Sequence, residues 1–162
     1  GLFMLDVDYT SASHAWIPGQ RSSPYEMGLG WTVNLDKQGY FVSRRALERE
    51  QREGSSWQQA GLEIDWEGLE REYAAVGMPP QVPASAVRGS IPVYAGPRQV
   101  GYASTSTWSP VLKKYIALVH LQQPYFTPGT KVEIEVTVEH HRRKSPATVV
   151  KLPFYDPEWK KK

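Results

Sequence analysis

The segment KVEIEVTVE, residues 131–139, does most to decide the fold of this chain. Its side chains alternate between apolar and polar, and this period of two is typical of a β-strand with one face toward a core. A strand that is apolar on one face and polar on the other is typical of an antiparallel sheet. The side chains that we expect to point inward are Val132, Ile134, Val136 and Val138.

Further short segments on both sides of this strand predict the rest of a sheet. A Pro-Gly pair at residues 128–129 fits a type II turn leading into it. A helix capped by Asp65 carries an apolar stripe of Trp66, Leu69, Tyr73 and Val76. Short strands separated by turns predict a small antiparallel β-barrel, in an α+β and mostly antiparallel β fold class. We expect these strands near residues 57–64, 91–94, 99–104, 115–122 and 147–152, the last after a turn at 140–144.

The sequence before residue 57 has a different pattern. Residues 5–9 alternate as a short strand that places Asp6 and Asp8 on one face. Residues 28–35 predict another strand, followed by a turn and an extended piece at 40–42. A helix is expected from an N-cap at Ser43 to a closing Gly54.

Composition excludes several classes of function. Because 19 Lys and Arg oppose 17 Asp and Glu, the net charge of +2 gives no broad field, and we expect no nucleic-acid or membrane partner. The absence of cysteine removes disulfides, thiolate nucleophiles and Cys-based metal sites from this chain. Its apolar runs are shorter than the roughly 20 residues that span a bilayer, so we expect a soluble, cytoplasmic protein. The start at Gly1, directly on an apolar run, indicates missing upstream sequence.

Three segments resemble a known family in order and spacing. The first is SPYEMGLGWTV at residues 23–33, followed by YFVSRRAL at 40–47. The second is GYASTSTWSPVL at 101–112, continuing to IAL at 116–118. The third is PGT at 128–130 with PFY at 153–155. Together they are similar to the C-terminal portion of the glycine-cleavage T-protein, or aminomethyltransferase, family.

The resemblance implies an organisation and an activity. Residues 1–54 would be the C-terminal part of a folate-binding domain, and residues 57–162 the C-terminal β-barrel domain. The activity would be transfer of a one-carbon unit from an amine or methyl donor to tetrahydrofolate. The family's catalytic acidic residue lies upstream, so we expect no catalytic residue in this chain and no turnover by it alone. Expected partners are the missing N-terminal part, the donor molecule and a carrier such as a lipoyl protein.

The resemblance also implies folate-binding residues. Counted back from Pro24, Asp8 lies where the family has a pterin-binding Glu, and Asp6 could substitute for it. One carboxylate suits the adjacent N–H donors of a reduced pterin, a bidentate geometry that strengthens the pair. Arg88, four residues before Pro92, is similar in placement to an arginine near the folate site, where a guanidinium could stabilise a carboxylate.

Other candidates have weaker support. Trp159 matches in spacing a family Tyr that contacts folate, and an indole could stack on it. Lys37 and Arg21 could hold the glutamate tail of folate. Each of these residues, like Asp8 and Arg88, could instead be an ordinary surface residue.

Several polar residues are interpreted as structural. Glu26 is expected to orient a turn, and Ser109 lacks the frame of a hydrolase nucleophile. Adjacent side chains on a strand point apart, so the neighbouring histidines do not predict a metal site. The four histidines are His14, His120, His140 and His141.

Two departures from the family pattern leave other functions open. Ser106 replaces a Gly of the second motif, which bears on close ligand approach there. The stretch 63–86 is longer than expected and hints at a demethylase-like subfamily. The alternatives are a folate-binding or docking module without turnover, and the C-terminal part of a flavoenzyme similar to sarcosine or dimethylglycine oxidases.

Overall fold

The computed structural model describes residues 7–11, 13–83 and 85–161. Short 3-10 turns occur at Pro18–Gln20, Gly30–Thr32 and Glu158–Lys161. The elements in chain order are α1 (Arg44–Glu53), β1 (Trp57–Ile64), α2 (Trp66–Ala74), β2 (Val87–Ala95), β3 (Arg98–Ser109), β4 (Lys114–Gln122), β5 (Lys131–Val138) and β6 (His141–Val150). No helix of these described residues is long and apolar enough to cross a membrane.

The six strands close into an antiparallel barrel in the order β1-β4-β3-β2-β5-β6. Closure comes from β1 and β6, which pair from Gly61 opposite Val150 to Ile64 opposite Ala147. Closing the sheet removes the unpaired edges that an open sheet exposes. The predicted small antiparallel barrel is confirmed.

Strand β5 packs largely as its alternation predicts. Val132, Ile134 and Val138 are at most 4% exposed. Val136 is half-buried and packs outside the barrel against the cluster formed by α2. The barrel interior is a single apolar core contributed by all six strands, with Leu62, Val93, Val100, Val119, Leu121 and Val149 fully buried.

Helix α2 covers one side of the barrel. Asp65 holds the N-cap position with an extended backbone, and the predicted stripe faces inward. Leu69 and Tyr73 are buried, with Trp66 and Val76 packed beside them. The helix approaches β6 closely at Gly68, where an added Cβ would lie 2.6 Å from the Cδ atom of Pro146.

Of the three extended segments predicted upstream, those at 28–35 and 40–42 are wrong. Residues 23–29 form consecutive turns, in which the Leu29 amide donates to the Pro24 carbonyl at 2.7 Å. Gly28 has a φ of 68°, which ends any strand there, and Gly30–Thr32 is a 3-10 turn. Residues 40–42 lead into α1 without strand pairing in the part of the chain that is described.

Helix α1 has its predicted ends, with Ser43 at the N-cap position, but the Ser43 side chain makes no capping hydrogen bond. Ser43 is left-handed, with a φ of 73°, and its carbonyl accepts the Leu47 amide. The preceding loop is fastened by Arg44, whose guanidinium donates to three backbone carbonyls, those of Leu35, Lys37 and Gly39. Gly54 closes the helix with a φ of 82°.

Strands β2 and β6 are longer than predicted. Glu139 and His140, with φ of 46° and 65°, form a two-residue hairpin turn of the left-handed kind that matches sheet twist. β6 therefore begins at His141, and the expectation that 140–144 is a turn is wrong. β2 begins at Val87 and carries a register shift between Arg88 and Ile91.

Candidate functional site

Asp8 is the buried carboxylate that ties the N-terminal segment to the barrel. Its side chain is 3% exposed. Its Oδ1 atom accepts hydrogen bonds from the Ser104 hydroxyl at 2.6 Å and from the Thr105 hydroxyl at 3.4 Å. β3 has a register shift between Ala103 and Thr105, and such a bulge re-aims side chains. We infer that this bulge lets two successive hydroxyls reach the same carboxylate.

A row of polar side chains crosses the outer face of the barrel beside Asp8. Gln59 on β1 lies directly opposite His120 on β4, and His120 lies directly opposite Tyr102 on β3. The imidazole of His120 stacks on the Tyr102 ring, with centroids 5.2 Å apart and planes 19° apart. Neighbouring residues such as Val119 and Leu121 point into the core, so the row faces outward.

Two members of this row are buried with unpartnered polar atoms. His120 is 4% exposed and Gln59 is 6% exposed. The His120 Nε2 atom and both amide atoms of Gln59 make no hydrogen bond. Burial lowers the pKa of His120 below its ordinary value, although the backbone and the charge of Asp8 act in the opposite direction. The imidazole is therefore neutral at neutral pH, and its Nε2 can accept or donate one hydrogen bond.

A cavity of about 440 Å³ lies between this row and the segment from Thr10 to Glu26. Trp57 and Tyr102 line it with rings inclined at 51° and centroids 6.4 Å apart. His120, His14, Arg21 and Glu26 also line it. A concave site with aromatic walls and a few polar groups is the usual form of a small-molecule site.

Glu26 orients a turn, as the sequence predicts, and also faces the cavity. Its Oε2 accepts the Ser23 amide at 2.9 Å, while its own amide donates to the Ser23 hydroxyl at 3.1 Å. Burial raises the pKa of Glu26, the Ser23 amide lowers it, and the charge of Glu50 raises it. The pKa of Tyr102 is raised by burial and then by the charges of Glu26 and Asp8.

The other predicted folate ligands lie elsewhere. Arg88 is exposed on β2. It lies directly opposite Thr105 on the neighbouring β3, whose hydroxyl contacts Asp8. Lys37 is exposed in the loop before α1, and Trp159 is 66% exposed in the last 3-10 turn. None of these three lines the cavity within the described chain, whereas Arg21 does. Asp6 lies outside the described residues.

Sequence reasoning missed the polar row. We interpreted His120 as structural and gave Gln59 no role. The available signal was the alternation of β4, since a histidine between inward-pointing Val119 and Leu121 must lie on the outer face. Ser106 lies within β3, where its hydroxyl is 3.2 Å from that of Tyr115. No group of three or more metal-ligating side chains occurs among the residues described.

Comparison with known proteins shows which family this barrel resembles. The model of the glycine cleavage T-protein C-terminal barrel domain matches residues 71–156. The chain belongs to this family. An aminomethyltransferase from Prochlorococcus marinus (strain NATL2A) is 31% identical over 134 residues, which are 83% of this chain and 30% of that protein. One from Bacillus pumilus (strain SAFR-032) is 30% identical over 133 residues, 82% of this chain and 31% of that protein.

The fold agrees with a solved member of the family. The glycine cleavage system aminomethyltransferase T from Bartonella henselae aligns with a TM-score of 0.61 at 17% identity, over 82% of this chain and 32% of that protein. The resemblance to the T-protein family and the α+β barrel are thereby confirmed. The chain spans about a third of the length of these relatives, as the coverages of 30% and 31% show. The domain boundary between residues 54 and 57 stays a prediction.

Proposed function

We propose that this chain is the C-terminal part of a tetrahydrofolate-dependent aminomethyltransferase or methyltransferase. Membership of the T-protein barrel family and the relatives named aminomethyltransferase support the reaction class. The observation that carries the proposal within this chain is the carboxylate of Asp8. It is 3% exposed and is fixed to the barrel by Ser104 and Thr105.

A fixed and buried carboxylate suits the proposed ligand. Hydrogen bonds to an ionised group are stronger than neutral ones, and low local dielectric strengthens them further. The adjacent N–H donors of a reduced pterin match such an acceptor. Because Asp8 is buried, the pterin edge must enter between the N-terminal segment and β3. The pair of β2 and β3 also presents the cation of Arg88 opposite Thr105, where it can attract an anionic group of folate or donor.

The role of this chain in the reaction is to bind and orient. Tetrahydrofolate, when bound, supplies the nitrogen that takes the one-carbon unit. Asp8 and Arg88 would fix its position, Trp159 would stack on it, and Lys37 would attract its glutamate tail. The residue that moves protons is proposed to lie in the upstream part of the polypeptide. A carrier such as a lipoyl protein and a cytoplasmic location belong to the same proposal.

Calorimetric titration of tetrahydrofolate into the longest native form of the protein tests this assignment. The variants are Asp8→Asn, which keeps the size of the side chain, and Arg88→Ala. Losing one charge-assisted contact costs about 1.5–3 kcal/mol, so each variant should bind at least about tenfold more weakly. Matched controls are Asp36→Asn and Arg98→Ala, since both residues are exposed and lie away from Asp8 in the loop before α1 and at the start of β3.

The outcomes separate the alternatives. Weaker binding in the two site variants, with normal binding in the controls, supports the folate site and justifies assays of donor turnover. Absence of binding by the folded native protein overturns the folate assignment and favours a docking module. Equal affinity in all five proteins leaves folate binding intact but contradicts the roles of Asp8 and Arg88.

A further inference from the structure

We propose that the cavity lined by Trp57, Tyr102, His120 and Glu26 binds a small N-alkylated ammonium cation that donates an N–H to His120 Nε2. This inference goes beyond the proposed function, because it is argued from these side chains and does not require folate. It assigns a ligand class to a site that lies next to Asp8 on the barrel exterior.

The unpartnered imidazole nitrogen is the first observation. His120 is 4% exposed, its Nε2 makes no hydrogen bond, and the residue lines the cavity. A buried polar atom without a partner costs about 1–3 kcal/mol, so natural structures retain few of them without a reason. A ligand with an N–H donor would satisfy this atom. Burial lowers the pKa of His120 and keeps its ring neutral, and the hydrogen bond that the ring makes with the Asp8 backbone leaves the unpartnered Nε2 as the acceptor.

The charges around the cavity favour a cation. Glu26 lines the cavity, and Asp8 lies close enough behind its wall that both carboxylates raise the pKa of Tyr102. The charge of Glu50 also raises the pKa of Glu26, so a third carboxylate adds to the negative potential. On the positive side, Arg21 lies exposed at the rim. A cation in the cavity would relieve repulsion among these carboxylates.

The aromatic walls favour alkyl groups on that cation. Trp57 and Tyr102 both line the cavity, with centroids 6.4 Å apart and rings inclined at 51°. Aromatic faces within about 6 Å attract ammonium groups, and methylated ammonium in an aromatic cage is a recurrent form of this contact. His120 adds a third flat surface, stacked on Tyr102. Alkyl groups would contact these rings while the N–H points at Nε2.

Three small probes test the proposal on the unmodified chain. Trimethylammonium carries an N–H and a charge, tetramethylammonium lacks the N–H, and tert-butanol lacks the charge but has a similar shape. Binding of each is measured near neutral pH by saturation transfer to its methyl signal in NMR spectra. We expect trimethylammonium to bind about tenfold more tightly than either of the others. Equal affinity for the two ammonium ions overturns the hydrogen bond, and equal affinity for tert-butanol overturns the cation site.

Variants locate the site. Glu26→Gln and His120→Leu should each weaken trimethylammonium binding about tenfold, whereas His120→Gln, which keeps an acceptor, should weaken it less. Glu63→Gln is the matched control, because Glu63 pairs with Lys114 on another part of β1 and β4. Circular dichroism checks that each variant is folded, and the probe series on the unmodified chain decides the matter if His120→Leu unfolds. Binding unaffected by Glu26→Gln overturns the proposed location. No folate is present, so failure here is distinct from failure of the folate assignment.

Discussion

The Ser104 hydroxyl donates to Asp8 Oδ1 at 2.6 Å and so joins two residues that are 96 positions apart in the chain. Both side chains are buried, Ser104 at 1% and Asp8 at 3% exposure. The contact fastens the N-terminal segment to the outer face of β3. It also fixes the carboxylate on which the folate proposal depends.

Removal of this hydroxyl should destabilise the fold. Ser104→Ala leaves a buried carboxylate with one fewer donor, and we expect a loss of about 1–3 kcal/mol in the free energy of unfolding. Urea denaturation followed by circular dichroism measures the change. Ser90→Ala is the control, because Ser90 is exposed on the neighbouring β2 and should change stability little. Equal effects of the two substitutions would show that the Asp8 contact contributes nothing specific.

The buried imidazole of His120 should make stability fall in mild acid. Burial holds its pKa below the ordinary value of 6.5, so below that pH the unfolded chain binds a proton that the folded chain resists. Stability is therefore fully present above about pH 6.5 and is lost as pH falls toward the folded-state pKa. Urea denaturation at about pH 8 and about pH 5.5 should show a larger loss for the natural chain than for His120→Gln. Parallel losses in the two proteins would contradict a neutral buried imidazole.

Much of the barrel could be predicted because the alternation of apolar and polar residues in its strands indicates which side chains are buried. β5 alternates strictly, and Ala60, Leu62 and Ile64 of β1 do the same. These patterns depend only on one face meeting a core. By contrast, residues 28–35 are apolar enough to resemble a strand, but local hydrogen bonds and the positive φ of Gly28 form turns instead.

The start of β6 was missed because its charges are satisfied across the barrel surface. Arg143 pairs with Glu72 at 3.4 Å, and Lys144 pairs with Glu133 at 3.7 Å. Glu72 is 71 residues away from Arg143, and Glu133 lies on the neighbouring strand β5, so neither pairing is visible in the basic run itself, which resembles a solvated turn. The candidate site also depends on contacts between residues that are distant in the sequence. Asp8 became a candidate through its spacing from a family motif, and its role in folate binding stays a prediction. Its contact with Ser104 depends on a β-bulge that the local sequence does not indicate.

Glu26 should have the opposite pH dependence from His120. Burial raises its pKa above the ordinary 4.5, so the folded chain holds this proton more tightly than the unfolded chain. The stability linked to this proton is present below about pH 4.5 and is lost as pH rises through the folded-state pKa. Glu26→Gln keeps an oxygen acceptor for the Ser23 amide, so it should remove this loss without undoing the turn. Denaturation profiles in this range, with the exposed Glu53→Gln as control, measure the difference. If stability declines equally in both variants and in the natural chain, Glu26 is not the cause of the decline.

Gly101 of β3, which lies opposite the buried Leu121 of β4, should tolerate added volume poorly. At Gly101 an added Cβ would overlap the carbonyl oxygen of His120 and lie 2.7 Å from the Cδ2 atom of Leu121. Backbone cannot rotate aside as a side chain can, so the two strands must separate, and overpacking of this kind costs about 1–3 kcal/mol. Gly101→Ala should lower the free energy of unfolding by that amount, as measured by urea denaturation. Gly89→Ala provides the control, because a Cβ there has nothing within 4 Å on the exposed part of β2. If the two substitutions destabilise equally, the loss of glycine flexibility and not the contact with His120 explains the effect.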